Sequence, residues 1–457
     1  MTRISRWSLY LSLALVVLFV LAAAVWTTAR LATPTAGQRT AMTLLEQPGE
    51  FPGRNAFGLM YTANRLVPAS EIDAVLAEEA RQVEQYVADY PLDAERIPEF
   101  EPGLNRYPAL EVGPADTRMF CRAREPCLAR VRTDLPAYRQ LVETHDELID
   151  RLARITTADH YRQAWPYSPV NVGITPAFGQ MFHPATRHAL RFAEGDTSGA
   201  LEDACGALAG WRRIGANADA TIVRMMANAY AGEGYAGLVA DMLAELPPGE
   251  PLPAACDAAL APPEHAELML CNAIRGEFAL VDRYRDLGDA IPGGHSLVFD
   301  AEATAGLVAE RYARFCSDKA RQWIARDVAT IETRESSLPW SWECIANFSG
   351  CILVSAVEGV HDGYALRMND FGFRLKALAT LVWLRGRMAP ATSIQALLRQ
   401  RPDTLRSPTR DFRISADGNA LILPLHHPGA DETARLPLPG HGARPAPARS
   451  TRRPCPD

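Results

Sequence analysis

The feature that most constrains this chain is an uninterrupted run of uncharged residues from Trp7 to Ala29, close to the N-terminus. About 20 mostly apolar residues in a helix are enough to cross the hydrocarbon core of a bilayer. Arg3 and Arg6 precede the run, and basic residues favour the cytoplasmic side of a membrane. The sequence therefore predicts a cytoplasmic stub and transmembrane signal-anchor over residues 1–30. Residues 7–29 would lie in the inner membrane, with the rest of the chain in the periplasm.

A cleaved signal peptide is the alternative for the same segment. Ala22 and Ala24 are the small residues that a signal peptidase site requires, and cleavage near Ala24 would release the chain into the periplasm. The apolar core of a signal peptide is about 7–15 residues long, which is shorter than this run. The length of the run and the tryptophan at its far end, Trp26, favour an uncleaved anchor.

The remaining composition is that of an ordinary globular protein, with 48% hydrophobic and 22% charged residues. There are 47 basic and 54 acidic residues, and the net charge of −7 argues against a surface for nucleic acid. The sequence lacks the short motifs of nucleotide-binding loops, zinc proteases and serine hydrolases, and it has no C-x-x-C pair. We therefore expect no catalytic residues, no metal site and no cofactor.

Nine cysteines agree with an oxidising compartment, in which disulfides persist. Cys455 lies in a tail rich in Pro and Arg and is the expected unpaired member of the odd number. Cys121 and Cys127 flank Pro126, which disfavours a continuous helix between them. A compact loop would bring their sulfur atoms together, so we predict that they form a disulfide.

A second local pair, Cys344 and Cys351, is predicted on a condition. Within one continuous helix, residues at this spacing have Cα atoms about 10 Å apart, which is too far for a disulfide. The two can pair only if a helix begins after Cys344, and Ser349–Gly350 makes such a start possible. The pairing of the other cysteines is left open by the sequence.

Composition and spacing divide the rest of the chain into three parts. Residues 31–67 contain many Pro and Gly residues and are predicted to be an irregular spacer. Residues 68–427 carry apolar residues at helical spacing and are predicted to form a helical body, with a possible internal boundary near 160–184. Residues 428–457 have few large apolar residues and are predicted to be a disordered tail.

Within the body, local signals mark individual elements. Asp134, followed by Pro136, is predicted to cap a helix. Segments 201–214 and 218–246 are predicted to form an antiparallel helical hairpin. Alternating apolar residues on both sides of Asp417–Gly418 predict a β-hairpin. The predicted fold class is therefore mainly α. It comprises a single N-terminal transmembrane helix, a multi-helix periplasmic body of αα-hairpins and a small C-terminal β-hairpin.

Four segments carry a resemblance to other proteins: RNAFGLMYT (54–62), FCRAREPCL (120–128), LEDACGALAGWRRIG (201–215) and LCNAIRGEFAL (270–280). They resemble a family of signal-anchored helical proteins of Gram-negative bacteria for which no activity is known. The resemblance covers most of the chain outside the tail. It implies the same topology and suggests no mechanism.

Two polar clusters are candidates for a groove or for structural contacts. Arg275 and Glu277 lie inside an apolar helical pattern and are expected to form a buried ion pair with another helix rather than line a groove. Arg54 and Asn55 are expected to anchor the spacer to the body rather than bind a ligand. His361–Asp362 is expected to be exposed, because adjacent side chains on a helix diverge.

These features favour a membrane-anchored periplasmic protein that binds a protein partner or acts as a scaffold in the cell envelope. The absence of catalytic motifs disfavours an enzyme. The alternative is an envelope-directed hydrolase with an unrecognised site, because the irregular segments 91–120 and 160–184 could border a cleft. A deep pocket with convergent titratable groups would favour the hydrolase, whereas a flat or apolar groove would favour the binding protein.

Overall fold

The computed structural model describes residues 3–47, 49–89, 100–165, 178–287, 297–330, 341–356, 359–388, 393–427 and 432–440. Helix α1, Arg3–Ala32, is the one described helix that is long and apolar enough to cross a membrane, judged by length and composition. Its large apolar side chains are exposed as far as Val25. From Trp26 onward the helix contacts the body, because the indole N–H of Trp26 donates to the carbonyl oxygen of Leu297 at 2.8 Å.

The prediction of an irregular spacer is wrong for much of residues 31–67. Two helices occur there, α2 (Ala36–Glu46) and α3 (Phe57–Tyr61). Thr35 and Gln38 form a capping box at the start of α2, and the apolar face of this helix is buried against the body. The capping pair and the helical spacing of apolar residues were both present in the sequence, but the neighbouring Pro and Gly residues obscured them.

The next five helices precede and follow the loop between Cys121 and Cys127 in the sequence. They are α4 (Ile72–Asp89), α5 (Pro114–Met119), α6 (Cys127–Val131), α7 (Leu135–Thr144) and α8 (Asp146–Ile155). The predicted cap is confirmed, since the Asp134 side chain accepts a hydrogen bond from the Ala137 amide at 3.2 Å. The buried apolar residues between Leu141 and Ile155 are divided between α7 and α8, with His145 at the junction. Residues 91–99 of the predicted loop lie outside the described residues.

The centre of the body is a helical hairpin with its neighbours. These helices are α9 (Pro184–Ala193), α10 (Thr197–Ala216), α11 (Thr221–Asn228), α12 (Ala236–Glu245), α13 (Ala255–Leu260) and α14 (His265–Leu268). A π-helical turn, Ala229–Tyr235, joins α11 to α12 without a break. Helix α10 packs against α11, the π-helical turn and α12, as the predicted hairpin requires. Residues 166–177, about half of the segment 160–184 in which an internal boundary is predicted, lie outside the described residues.

Helix α10 also approaches the end of α8 very closely. A Cβ atom added at Gly210 would lie 2.2 Å from the carbonyl oxygen of Thr156, so only glycine fits there. Arg213 donates to the carbonyl oxygens of Ala158 and Thr156 at 3.0 and 3.1 Å. Arg212 holds Glu267 through two contacts of 2.8 Å. Arg212 and Arg213 of α10 thus tie segments before and after this helix to one core.

The remaining helices cover the hairpin and lead to the sheet. They are α15 (Cys271–Leu287), α16 (Ala301–Ala313), α17 (Asp318–Ala325), α18 (Phe348–Ala356), α19 (Val360–Arg385) and α20 (Ile394–Gln400). Gly359, whose φ is +84°, directly precedes α19, and α19 is continuous through Asp370. A residue with positive φ ends an α-helix, which explains why α18 and α19 are separate.

The C-terminal sheet has the strand order β1–β2–β3, with both pairs antiparallel. Its strands are β1 (Arg413–Ile414), β2 (Ala420–Pro424) and β3 (Thr433–Pro437). The predicted hairpin is confirmed, with Gly418 at a φ of +74° in its turn. The prediction of a disordered tail is wrong at β3, because Leu436 and Leu438 bury their side chains in the body. Residues 441–457, including Cys455, lie outside the described residues.

Four cysteine pairs lie at disulfide distance: Cys121–Cys127, Cys205–Cys256, Cys271–Cys316 and Cys344–Cys351. The first and last are the two pairs proposed from the sequence, and α18 begins after Cys344, as the second pairing requires. The other two pairs join α10 to α13 and the start of α15 to the turn that follows α16. These covalent links connect segments that are distant in sequence.

Candidate functional site

A cleft with a volume of about 430 Å³ is the candidate functional site. It opens between the π-helical turn, α12, α19 and β3, and the loop closed by Cys121–Cys127 borders it with Arg124. Its lining combines charged side chains with apolar ones. Clefts of this size accommodate a small molecule or a few residues of a peptide.

One face of α19 supplies the floor of the cleft. Arg367, Asp370, Phe371 and Arg374 follow each other at helical spacing, so their side chains project in one direction. The rest of α19 is largely apolar and buried. A row of charged residues inside such a helix can be tolerated only where a cleft or a polar partner receives it.

The π-helical turn forms the wall opposite this floor. Gly232 lies against the ring of Phe371, because a Cβ atom added there would be 2.6 Å from the ring. Glu233, one residue later, binds Arg124 from the disulfide loop, with an Nη2–Oε1 distance of 3.3 Å. Single π-helical turns in α-helices are frequent at functional sites, because the extra residue changes the direction of neighbouring side chains.

The carboxylate of Asp370 is saturated by donors from the C-terminal segment. It accepts hydrogen bonds from the backbone amides of His426 and His427, at 2.8 and 2.9 Å. Arg410 also donates to it. These contacts fix α19 to the end of β2, so Asp370 supports the floor of the cleft and has little capacity left for a ligand.

The guanidinium of Arg374 is in a different situation. It is largely buried, and among the residues that the structure describes no side chain or carbonyl group accepts a hydrogen bond from it. Burial lowers the pKa of Arg374, and the nearby carboxylates of Glu233 and Asp370 partly oppose that effect. A guanidinium carries five N–H donors, so one that lines a cleft without an acceptor among the described residues is suited to an anionic group.

Arg54 and Asn55, predicted to be an anchor, lie away from the cleft. The Asn55 side chain donates to the carbonyl oxygen of Arg162 at 2.7 Å and accepts from its amide at 3.0 Å. The amide of Arg54 donates to Asp159 at 2.9 Å. These contacts hold the segment before α3 against residues 159–162.

Arg275 and Glu277 also lie outside the cleft. In the described part of the chain neither forms an ion pair, and the Nε atom of Arg275 is buried without a hydrogen-bond partner. Burial raises the pKa of Glu277, which faces Thr221 on α11. Residues two apart on a helix point in different directions, so the two charges do not meet.

The expectation that His361–Asp362 is exposed is wrong. Both side chains are buried, because α19 packs against the end of α16. Asp362 binds Arg314, and the His361 ring lies 4.7 Å from the ring of Tyr312. Among the described residues, no group of three His, Cys, Asp or Glu side chains is arranged to hold a metal ion.

The cleft itself was missed at the sequence level. Its one available signal was the spacing of Arg367, Asp370 and Arg374 inside a largely apolar helix. The partners Arg124 and Glu233 come from distant parts of the chain and carry no local pattern that links them to α19. No protein-family model matches the chain, and no curated protein or solved structure is significantly similar to it. The site is therefore interpreted from its own geometry.

Proposed function

We propose that this chain is a membrane-anchored periplasmic protein that binds an extended, acidic segment of a protein partner in the cleft. The observation that carries the proposal is Arg374, a largely buried guanidinium with no acceptor in the described residues. A carboxylate can accept two parallel hydrogen bonds from a guanidinium, so an acidic side chain of the partner suits this position.

The strand β3 supports the choice of an extended segment. It is an edge strand that pairs with β2 on one side, and its residues Thr433–Pro437 border the cleft. Peptides commonly bind by adding a strand to such an edge, with side-chain pockets providing selectivity. A peptide lying along β3 would enter the cleft that Arg374 also lines.

The hydrolase alternative is less well supported, although the cleft contains several titratable groups. Glu233 is engaged by Arg124, and Asp370 is engaged by three donors. Among the described lining residues, the only hydroxyl group belongs to Thr433, and there is no thiol. A hydrolase needs a free base beside a nucleophile or an activated water, and binding makes no such demand.

The test is site-specific photo-crosslinking in the full-length protein in living cells. A benzophenone amino acid in place of Thr433 should capture one protein, because Thr433 is exposed at the border of the cleft. The substitution Arg374→Met should abolish this product, since it removes the charge and keeps most of the volume. The matched control, Arg387→Met, changes an exposed arginine just beyond the end of α19 and should leave the product intact.

Equal capture in the Arg374→Met variant would exclude the proposed role of the guanidinium. Absence of any product at Thr433, with correct anchoring and unchanged melting temperature, would exclude the cleft as a docking site for protein. The same probe at Ile222, which is 53% exposed and does not line the cleft, should give no product.

The periplasmic location is supported by the four cysteine pairs at disulfide distance and by Arg3 and Arg6 before the apolar segment. Alkaline phosphatase fused after Asp457 should be active, because that enzyme requires the periplasm to form its disulfides. A fluorescent protein that matures only in the cytoplasm should be dark in the same position. The opposite pattern would place the body in the cytoplasm.

A further inference from the structure

Large apolar side chains on the outside of the body are concentrated in one region. Beyond α1, the described residues leave ten such side chains exposed, and seven of them lie in segments 297–298 and 342–353. These seven form what we call the apolar face: Leu297, Val298, Trp342, Ile345, Phe348, Ile352 and Leu353. Clusters of exposed apolar residues on a soluble domain mark a contact with another apolar surface.

The apolar face adjoins the end of the membrane-spanning candidate α1. Besides the bond from Trp26 to Leu297, Arg30 donates to the carbonyl oxygen of Phe299 at 3.3 Å and lies 3.5 Å from the Asp300 carboxylate. Helix α1 also contacts the turn Trp342–Cys344. Tryptophan is enriched where a transmembrane helix leaves the hydrocarbon core. The apolar face therefore lies at the depth of that boundary.

Helix α18 directs large apolar side chains outward, which is the reverse of what an ordinary surface helix does. Its residues Phe348–Ala356 include no charged side chain. Gly350, Cys351 and Val354 face the body, whereas Phe348, Ile352 and Leu353 point outward. A helix on a water-exposed surface normally directs polar residues outward. The outward side of α18 is instead suited to an apolar environment.

The segment is held firmly in this position. The Cys344–Cys351 pair closes the loop before α18. The side chain of Asn347 accepts a hydrogen bond from the Asp300 amide at 2.9 Å, and the amide of Ser349 donates to the carbonyl oxygen of Val298 at 2.9 Å. The apolar side chains are thus exposed on a cross-linked segment. This segment is hydrogen-bonded to residues 298–300, next to the groups that contact Trp26 and Arg30.

We infer that the apolar face is a second membrane-contact surface, which lies in the interfacial layer of the bilayer beside α1. This inference rests on the proposed membrane span of α1. We assign a lipid surface to the apolar face because the face adjoins the end of α1, and the bilayer would surround α1 at that end. The net charge of −7 gives no attraction to anionic lipid, so the contact is apolar and should form with zwitterionic lipid.

Spin-label accessibility in the full-length protein tests this inference. The protein would carry Cys455→Ser and be reconstituted in phosphatidylcholine nanodiscs, with one new cysteine labelled at a time. Leu353→Cys reports on the apolar face, and Ile222→Cys is the matched control, because the two side chains are 58% and 53% exposed. Phe19→Cys, at a position 74% exposed on α1, reports on the membrane span itself. Unchanged melting temperature verifies that each variant is folded.

The expected result is preferential collision with oxygen at Leu353→Cys and Phe19→Cys, and preferential collision with a water-soluble nickel chelate at Ile222→Cys. Nickel-dominated relaxation at Leu353→Cys would overturn the inference. Protection from both reagents there would also overturn it, because it would indicate a second copy of the chain or another protein on the face. Nickel-dominated relaxation at Phe19→Cys would instead reject the membrane span on which the inference rests.

Discussion

Arg410 binds both carboxylate oxygens of Asp327, with Nε–Oδ2 and Nη2–Oδ1 distances of 2.7 and 2.8 Å. The same guanidinium donates to Asp370 and lies 4.2 Å from the ring centre of Phe373. Asp327 lies in the turn after α17 and Asp370 belongs to α19, so one cation joins two buried carboxylates from different parts of the chain to the segment before the sheet. This contact supports the floor of the cleft from below.

Removing that cation should be strongly destabilising. The substitution Arg410→Leu leaves two buried carboxylates without their shared partner, and we expect a loss of about 3–5 kcal/mol in the free energy of unfolding. Arg413→Leu is the control, because Arg413 is exposed on β1, and it should change stability by no more than about 0.5 kcal/mol. Urea unfolding followed by circular dichroism measures both. Similar losses in the two variants would contradict the role assigned to Arg410.

Three buried histidines should make the protein sensitive to acid. Burial lowers the pKa of His183 and His361 to about 4 and that of His188 to about 3, with smaller contributions from neighbouring cationic groups. Below about pH 6.5 the unfolded chain binds protons that the folded chain does not. Stability should therefore fall as the pH decreases from about 6.5 towards 4.

A substitution at one of these histidines checks the assignment. His183 stacks on Phe120 at 3.9 Å, and its Nδ1 atom has no hydrogen-bond partner in the described residues. His183→Phe should keep the stack and make the decrease in melting temperature between pH 7 and pH 5 smaller. An identical pH dependence in this variant would show that His183 binds its proton equally in the folded and unfolded protein, so that burial does not lower its pKa.

Two glycines on α10 should respond in opposite directions to the same substitution. Gly210→Ala places a Cβ atom against the backbone oxygen of Thr156, whereas a Cβ atom at Gly206 meets nothing within 4 Å. We expect Gly210→Ala to destabilise by about 1–3 kcal/mol, as in an overpacked core. Gly206→Ala should stabilise by about 0.5–1 kcal/mol, because alanine favours a helix. Thermal melting of the two variants distinguishes the effects; a stabilised Gly210→Ala would contradict the close helix packing.

The cysteine pairs should differ in their contribution to stability according to the length of chain they enclose. Cys205–Cys256 separates its residues by 51 positions, against 6 for Cys121–Cys127. The loss of entropy in the unfolded chain suggests about 4 kcal/mol for the first and about 2 kcal/mol for the second. The double serine variant at 205 and 256 should therefore melt at a lower temperature than that at 121 and 127.

Mass spectrometry of the non-reduced protein provides the control for this comparison. Peptides containing Cys121 and Cys127 should be linked to each other, and likewise those containing Cys205 and Cys256. Free thiols at these positions in protein purified from the periplasm would contradict the pairing. Neither double variant should lose its membrane attachment, since α1 provides the proposed span.

The sequence was most informative where a signal is local. The apolar run of α1, the Asp134 cap and the turn at Gly418 each depend on neighbouring residues, and the structure has all three. Strand β3 was missed because it is short and is stabilised mainly by burial against distant elements. Helix α2 carried local signals, but the Pro and Gly residues around it obscured them.

The cleft illustrates the same physical limit for function. Whether Arg374 is paired depends on residues more than a hundred positions away, such as Glu233 and Arg124. Local spacing can reveal that α19 has a charged row, but it cannot reveal what faces that row. The outward orientation of α18 could not be predicted either. A run of nine uncharged residues does not indicate which of its sides is buried.

Only three residues, Thr33 to Thr35, separate α1 from α2, and Trp26 and Arg30 already bond to the body before that connection. A body joined in this way has no stalk. In a bilayer it could drift laterally and spin about the membrane normal, but it could not sweep through the volume above the surface. The cleft would stay at one height, so a partner would have to present its acidic segment at that height, and their encounter would be a search in two dimensions.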